Sequence, residues 1–63
     1  MKIHLQEFRW KRDYSIEQLA RLSGVSSSQI SRIENGLTTP TVDVMCRLAK
    51  ALGCRLSDLV ECE

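Results

Sequence analysis

The sequence predicts an all-α fold, a small bundle of short helices. Apolar residues recur at steps of three and four along the chain, and no run alternates apolar with polar residues, so we expect no β-sheet. Glycines at 24, 36 and 53 follow the periodic segments, as glycines that end helices do. With 63 residues, 43% of them apolar and 27% charged, the chain is predicted to form one globular domain, 1–63.

The first helix is predicted by Leu5 and Phe8, which lie at helical spacing within KIHLQEFRWKRD. It should run for about ten residues and end at Asp13 and Tyr14. The aromatic pair Trp10 and Tyr14 is expected to pack around this helix, because stacking on bases serves the binding of single strands.

Capping signals mark the second and third helices. Ser15, with a glutamine three residues later, forms a capping-box pattern that starts a helix ending at Gly24. Ser26 is a good N-cap for the third helix, because its hydroxyl can accept a hydrogen bond from an unpaired amide one turn in. The Asn-Gly pair at 35–36 ends that helix. Two short helices joined by a tight turn have the size and spacing of a helix-turn-helix, here at 15–35.

The remaining sequence is predicted to hold a loop, one longer helix and a final turn. Residues 37–40 form the loop, Thr41 is a candidate N-cap, and Gly53 closes the helix. Residues 57–60 add a short turn. The apolar residues of the longer helix recur at helical steps: Val42, Met45, Leu48, Ala49 and Leu52.

Cysteine and histidine usage argues against metal binding and catalysis. The three cysteines are spaced unlike the close Cys-x-x-Cys pairs of zinc sites, and His4 is the one histidine. Cys46 and Cys54 are expected as buried thiols and Cys62 as a free thiol, with a redox switch or an intermolecular disulfide as the alternative. A single histidine near the chain end assembles no Ser-His-Asp constellation. We therefore expect no cofactor, no metal and no enzyme activity.

The distribution of charge permits an anionic partner although the formal net charge is only +1. Three of the eight acids lie in the last seven residues, so residues 1–56 carry nine basic and five acidic groups, a net of +4. No apolar run approaches the roughly 20 residues of a membrane span. We expect a cytoplasmic protein without a membrane contact.

The third predicted helix has an unusual polar face. Ile30 and Ile33 share its apolar side, so small hydroxyl residues are free to meet another molecule. In a helix-turn-helix, the second helix enters the DNA major groove with its N-terminal residues facing base edges. Serine hydroxyls donate or accept hydrogen bonds permissively, and Arg32 can contact guanine or phosphate. The outward residues of this helix are Ser27, Ser28, Ser31 and Arg32.

These motifs together resemble the phage lambda-repressor and Cro-like helix-turn-helix family, also called the xenobiotic-response-element (XRE) family, over residues 5–60. The matching pieces are LQEFR, QLA, SGVS, ISRIENG, PT and LAKALG. The resemblance implies a compact bundle of four or five helices that acts as a sequence-specific transcriptional regulator, expected to be a repressor. It also implies a homodimer on a double-stranded DNA operator with two-fold symmetry.

The resemblance assigns roles to individual residues. Arg9 and Glu34 match a partly buried ion pair that joins the first and third helices. Base contacts are implied for Ser27, Ser28, Ser31 and Arg32. Phosphate contacts are implied for Ser15, Asn35, Thr38, Thr39 and Thr41. A phosphate contact is also expected at Ser26, because the unpaired amides at the N-terminus of the third helix can bind an anion.

Two departures from the family pattern leave an alternative function open. Ile16 stands where the family commonly has a glutamine that reaches phosphate, and Ser27 stands where a larger arginine or glutamine is common. DNA shape could then carry part of the specificity. The alternative is a protein-interaction module or antitoxin-like partner protein with weak or lost DNA binding.

A dimer surface is predicted on the fourth helix and the C-terminal segment. These carry more apolar residues than a monomer of this size easily covers. The residues concerned are Val44, Cys54, Leu56, Leu59 and Val60.

Overall fold

The computed structural model describes residues 2–61 and contains five helices. They are α1 (Leu5–Lys11), α2 (Ile16–Ser23), α3 (Ser27–Glu34), α4 (Val42–Leu52) and α5 (Leu56–Leu59). The predicted all-α bundle is confirmed. The expectation of no sheet is wrong in one detail, because β1 (Lys2–Ile3) pairs antiparallel with β2 (Val60–Glu61). Strands of two residues are too short to show an alternating pattern in the sequence.

The predicted N-caps are confirmed by hydrogen bonds at the starts of α2, α3 and α4. Ser15 Oγ accepts from the amide of Gln18 at 3.1 Å, and the Gln18 side chain accepts from the Ser15 amide at 2.8 Å. Ser26 Oγ accepts from the Gln29 amide at 3.2 Å. Thr41 Oγ1 likewise accepts an amide one turn in, at 3.3 Å. Each cap satisfies a backbone donor that the helix itself cannot pair.

Helix α1 is seven residues long, shorter than the predicted ten or so. The chain leaves the helix after Arg12 because Asp13 adopts a left-handed conformation with φ of 55°. The Tyr14 amide then donates to the Arg9 carbonyl at 3.1 Å. This tight exit turns the chain directly towards Ser15 and α2.

The core is formed where α2 packs against α3 and α4, with α1 against α3 and α5 against α4. Helix spacing places one apolar stripe of each helix on this centre, since residues three or four apart share a face. No helix within residues 2–61 is long and apolar enough to cross a membrane. The buried apolar residues are Leu5, Leu19, Val25, Ile30, Ile33, Met45, Leu48, Ala49, Leu52 and Leu59.

Two predictions of burial are wrong, those for Trp10 and Cys46. Trp10 is 60% exposed, because it lies two positions beyond Phe8 and therefore on the far side of α1. Val42, which begins the apolar series of α4, is also 71% exposed, one turn before Met45 meets the core. Cys46 is exposed, whereas Cys54 is half-buried. The predicted free thiol near the tail lies at position 62, outside the described residues.

Candidate nucleic-acid interface

The turn between α2 and α3 is fixed by a glycine and a serine. Gly24 has φ of 77°, a left-handed conformation, and its amide donates to the Ala20 carbonyl at 2.9 Å. Ser23 Oγ donates to the Leu19 carbonyl at 2.7 Å and accepts from the Val25 amide at 3.2 Å. Val25 is buried in the core. The turn therefore holds α3 at a defined angle to α2, as a helix-turn-helix requires.

The two faces of α3 differ sharply in exposure. Ile30 and Ile33 are buried in the core, whereas Ser27, Ser28 and Arg32 are exposed. Their side chains are short except for the arginine, so the first turn of α3 presents a smooth polar surface. This surface can approach a groove closely and offers hydroxyl groups to base edges.

Ser31 and Asn35, predicted to contact a base and a phosphate, lie against each other at the end of α3. Ser31 is half-buried, and the Asn35 side-chain amide donates to the Ser31 carbonyl at 2.8 Å. The same amide lies 3.4 Å from Ser31 Oγ. Asn35 therefore closes the end of α3, and its side-chain amide must release this contact before it can turn to DNA, whereas Ser31 Oγ only accepts here and keeps its proton free to donate.

The structure brings Arg9 and Glu34 together in a two-pronged ion pair. Arg9 Nε donates to Glu34 Oε2 at 2.8 Å, and Arg9 Nη2 donates to Glu34 Oε1 at 3.1 Å. Arg9 Nη1 donates to the Tyr14 carbonyl at 3.0 Å. The side chains are only 10% and 5% exposed. This pair ties α1 to the end of α3 in a rigid fork geometry.

The electrostatic character of the surface around α3 suits a polyanion. Between residues 26 and 42, Glu34 is the one acidic residue and Arg32 the one basic residue. Glu34 is buried in its ion pair, so the exposed charge of this segment is positive. The loop that follows α3 exposes Thr38 and Thr39 beside it.

The caps Ser15, Ser26 and Thr41 are exposed, and each hydroxyl accepts a backbone hydrogen bond. Each hydroxyl keeps its own proton to donate, so an anion at these points can be bound by that proton as well as by the unpaired first-turn amides. Ile16, at the departure from the family pattern, is half-buried and packs against the core. Its apolar side chain thus stabilises the start of α2 and offers no polar group to an anion.

Arg21 is a cationic residue that the sequence analysis missed. It lines an open groove of about 450 Å³ together with Ser26, Ser27 and the acidic Glu17. The groove runs between α2 and the start of α3, so Arg21 places a second exposed cation near the first turn of α3. Helical spacing from Leu19 would have predicted its exposure, but the folded turn is needed to bring it near Ser27.

The fold and this surface define a five-helix domain that presents a helix-turn-helix. A family model described as helix-turn-helix matches residues 5–59. The chain belongs to this helix-turn-helix family, the XRE type, as the sequence motifs predicted.

Curated relatives share part of their length with this chain. The HTH-type transcriptional regulator SlrR of Bacillus subtilis is 40% identical over 57 residues, which cover 89% of this chain and 38% of SlrR. An uncharacterized HTH-type transcriptional regulator of Mycobacterium tuberculosis, Rv0474, is 50% identical over 38 residues, or 60% of this chain and 27% of that protein. The chain thus spans well under half the length of these relatives.

Proposed function

We propose that this chain binds double-stranded DNA sequence-specifically and acts as a transcriptional repressor, with α3 in the major groove of an operator. The observation that carries the proposal is the exposed first turn of α3, where Ser27 and Ser28 face outwards while Ile30 and Ile33 anchor the helix. Arg32 adds a charged contact one turn further on. Occupation of the operator would block access of the polymerase.

Backbone amides and exposed cations supply the phosphate contacts in this proposal. The first-turn amides of α2 and α3 lack partners within their helices and carry the positive end of the helix dipole. Thr38 and Thr39 extend this surface along the loop, and Asn35 can join it after releasing Ser31. Such dipolar contacts allow DNA binding by a chain whose formal net charge is only +1.

Selection of bound sequences from a randomised duplex pool, at low and moderate salt, tests the proposal. We expect enrichment of a two-fold symmetric motif with half-sites about one helical turn apart. Ser28→Ala should change the enriched bases, whereas Gln6→Ala, on an exposed position of α1, should leave them unchanged. Absence of enrichment together with absence of low-salt binding would refute DNA recognition.

The symmetric motif requires two copies of the chain, and we place their contact on α4 and the C-terminal segment. Val44, Cys54, Leu56 and Val60 are half-buried there and keep part of their apolar surface outside. Leu59, also predicted for this contact, is fully buried in the core of its own chain and has no surface to offer. Sedimentation at tens of micromolar tests the dimer, and a constant monomer mass would contradict it.

Trp10 favours the second candidate, a protein-interaction module. An indole that is 60% exposed on α1 has the amphipathic character common at protein interfaces. Trp10→Ala should leave DNA affinity intact under the first function. A protein that binds no duplex at low salt but loses a protein partner on this substitution would support the second.

A further inference from the structure

Leu37 has an unexpected environment for a leucine. It follows α3 directly and is 75% exposed, more than any other large apolar side chain in residues 2–61. Exposure of a whole isobutyl group to water brings no folding stability, since stabilisation by apolar side chains comes from surface removed from water. Its position next to the proposed DNA-binding helix suggests that its surface is covered when DNA is bound.

The backbone fixes Leu37 beside Arg32. Gly36 has φ of 70°, and its amide donates to the Ile33 carbonyl at 3.2 Å. The Leu37 amide donates to the Arg32 carbonyl at 2.9 Å. These two bonds form a Schellman motif. In this motif the residue after the glycine folds back over the last turn of the helix and commonly packs on the residue five positions earlier. Here that residue is the exposed Arg32, which leaves the leucine without an apolar partner.

We propose that Leu37 is a further specificity-determining residue, whose side chain packs on the methyl group of a thymine next to the position contacted by Arg32. The inference rests on the proposed function and adds a base class to it. Thymine alone carries a methyl group in the major groove, and apolar side chains recognise it by contact. Cytosine at that place would present an amino donor that leucine cannot accept.

The residues around Leu37 favour a contact between its side chain and a thymine methyl group. The hydroxyl groups of Ser27 and Ser28 can pair with several bases, so a longer side chain beside them would add specificity to theirs. Arg32 adds an exposed cation at this end of α3, and the acidic residue nearest to Leu37 in sequence, Glu34, is buried in its ion pair. DNA can therefore approach the uncharged Leu37 side chain without repulsion from the Glu34 carboxylate.

The test uses the duplex enriched by the selection, with each thymine replaced in turn by deoxyuridine, which lacks only the methyl group. Replacement at one thymine position of the motif, in either half-site, should weaken wild-type binding about fourfold, the loss that corresponds to one buried methyl group. Leu37→Ala should bind the unsubstituted duplex at least fourfold more weakly and should be insensitive to that replacement. Leu37→Met, which keeps apolar reach, should remain sensitive.

Leu22→Ala is the matched control, because Leu22 is also an exposed leucine, 57% accessible on α2. It should bind every duplex like the wild type. Urea unfolding of all three variants confirms that each is folded. The inference is overturned if no thymine replacement weakens wild-type binding, or if Leu37→Ala retains the same sensitivity. Failure of the wild type to bind any duplex would instead refute the proposed function, before any variant is compared.

Discussion

At the residue scale, the Arg9–Glu34 pair places two opposite charges almost out of contact with water. Both carboxylate oxygens and three guanidinium nitrogens are used, and the side chains are almost inaccessible. Taking two charges out of water is costly, and good hydrogen-bond geometry offsets that cost only while both partners are present. The intact pair therefore adds little net stability, but removal of one partner destabilises the fold because it leaves the other charge buried and unpaired.

Arg9→Met alone should lower the free energy of unfolding by about 3 to 5 kcal/mol, because it leaves the Glu34 carboxylate buried without a partner. The double variant Arg9→Met/Glu34→Leu should lose clearly less, since it leaves no lone charge. Urea unfolding followed by circular dichroism measures both values. Equal losses in the single and double variants would show that the guanidinium acts by packing alone.

The two described thiols should react at different rates. Burial, reinforced by the Asp58 carboxylate, raises the pKa of Cys54 against a smaller opposing effect of Arg12, whereas Cys46 is exposed. In a Cys62→Ser variant at pH 7.5, maleimide should modify Cys46 at least tenfold faster. Equal rates, measured by mass spectrometry, would contradict the difference in environment.

The raised pKa of Cys54 also has a consequence for stability. The folded chain holds this proton more tightly than the unfolded chain does. Its contribution is therefore complete below the ordinary thiol pKa of about 8.5 and is lost as the pH rises through the higher folded value. The stability difference between wild type and Cys54→Ala should shrink across that alkaline range.

At the element scale, helix starts were predictable because caps are local. Ser15, Ser26 and Thr41 each begin a helix through a bond to an amide three residues on, and that spacing is visible in the sequence. The end of α1 was less predictable, since nothing in the sequence announces the left-handed Asp13. The ladder of β1 and β2 joins residues 57 or more apart, and pairing at that distance leaves no local pattern.

Which residues of a helix are exposed was harder to predict than where the helix lies in the sequence. Cys46 is adjacent in sequence to the buried Met45 but lies about 100° around α4, which is enough to expose it. The candidate interface was more predictable, because Ile30 and Ile33 fix which side of α3 faces inwards. The bond between Ser31 and Asn35 depends on side-chain rotamers and could not be inferred.

Substitution at the start of α3 should separate capping from DNA contact. Ser26→Ala removes the acceptor for the Gln29 amide and should cost about 1 kcal/mol of stability. Ser27→Ala removes an exposed hydroxyl that caps nothing, so stability should stay within about 0.5 kcal/mol while DNA affinity falls. Thermal unfolding and fluorescence anisotropy measure the two effects. Loss of stability without loss of affinity in Ser27→Ala would exclude it from the interface.

At the scale of the whole molecule, the modest positive charge limits how much of the binding can come from counterion release. Two exposed cations, Arg21 and Arg32, flank the first turns of the proposed interface, while many of the remaining basic residues lie on α1, α4 or the chain ends. Amide and hydroxyl contacts add affinity without adding charge. The domain should therefore depend less on salt than a strongly basic DNA-binding protein.

The logarithm of the association constant should fall with the logarithm of salt concentration with a slope of about −2 to −4 per bound chain. Arg32→Ala should reduce the slope by about 1 if the guanidinium contacts phosphate, and should leave it unchanged if Arg32 contacts guanine. Titrations between about 50 and 200 mM salt measure this. A slope steeper than about −6 would require cationic contacts beyond those on α2 and α3.

The ladder of β1 and β2 also determines how the domain responds to mechanical force. Lys2 pairs with Glu61 and Ile3 with Val60, and the His4 amide donates to the Leu59 carbonyl at 2.7 Å. A force that separates residues 2 and 61 acts perpendicular to the strands, along their hydrogen bonds. It therefore loads the pairs one after another and not all at once. The strands should peel apart at low tension while the helical core, with its helix-turn-helix, remains folded.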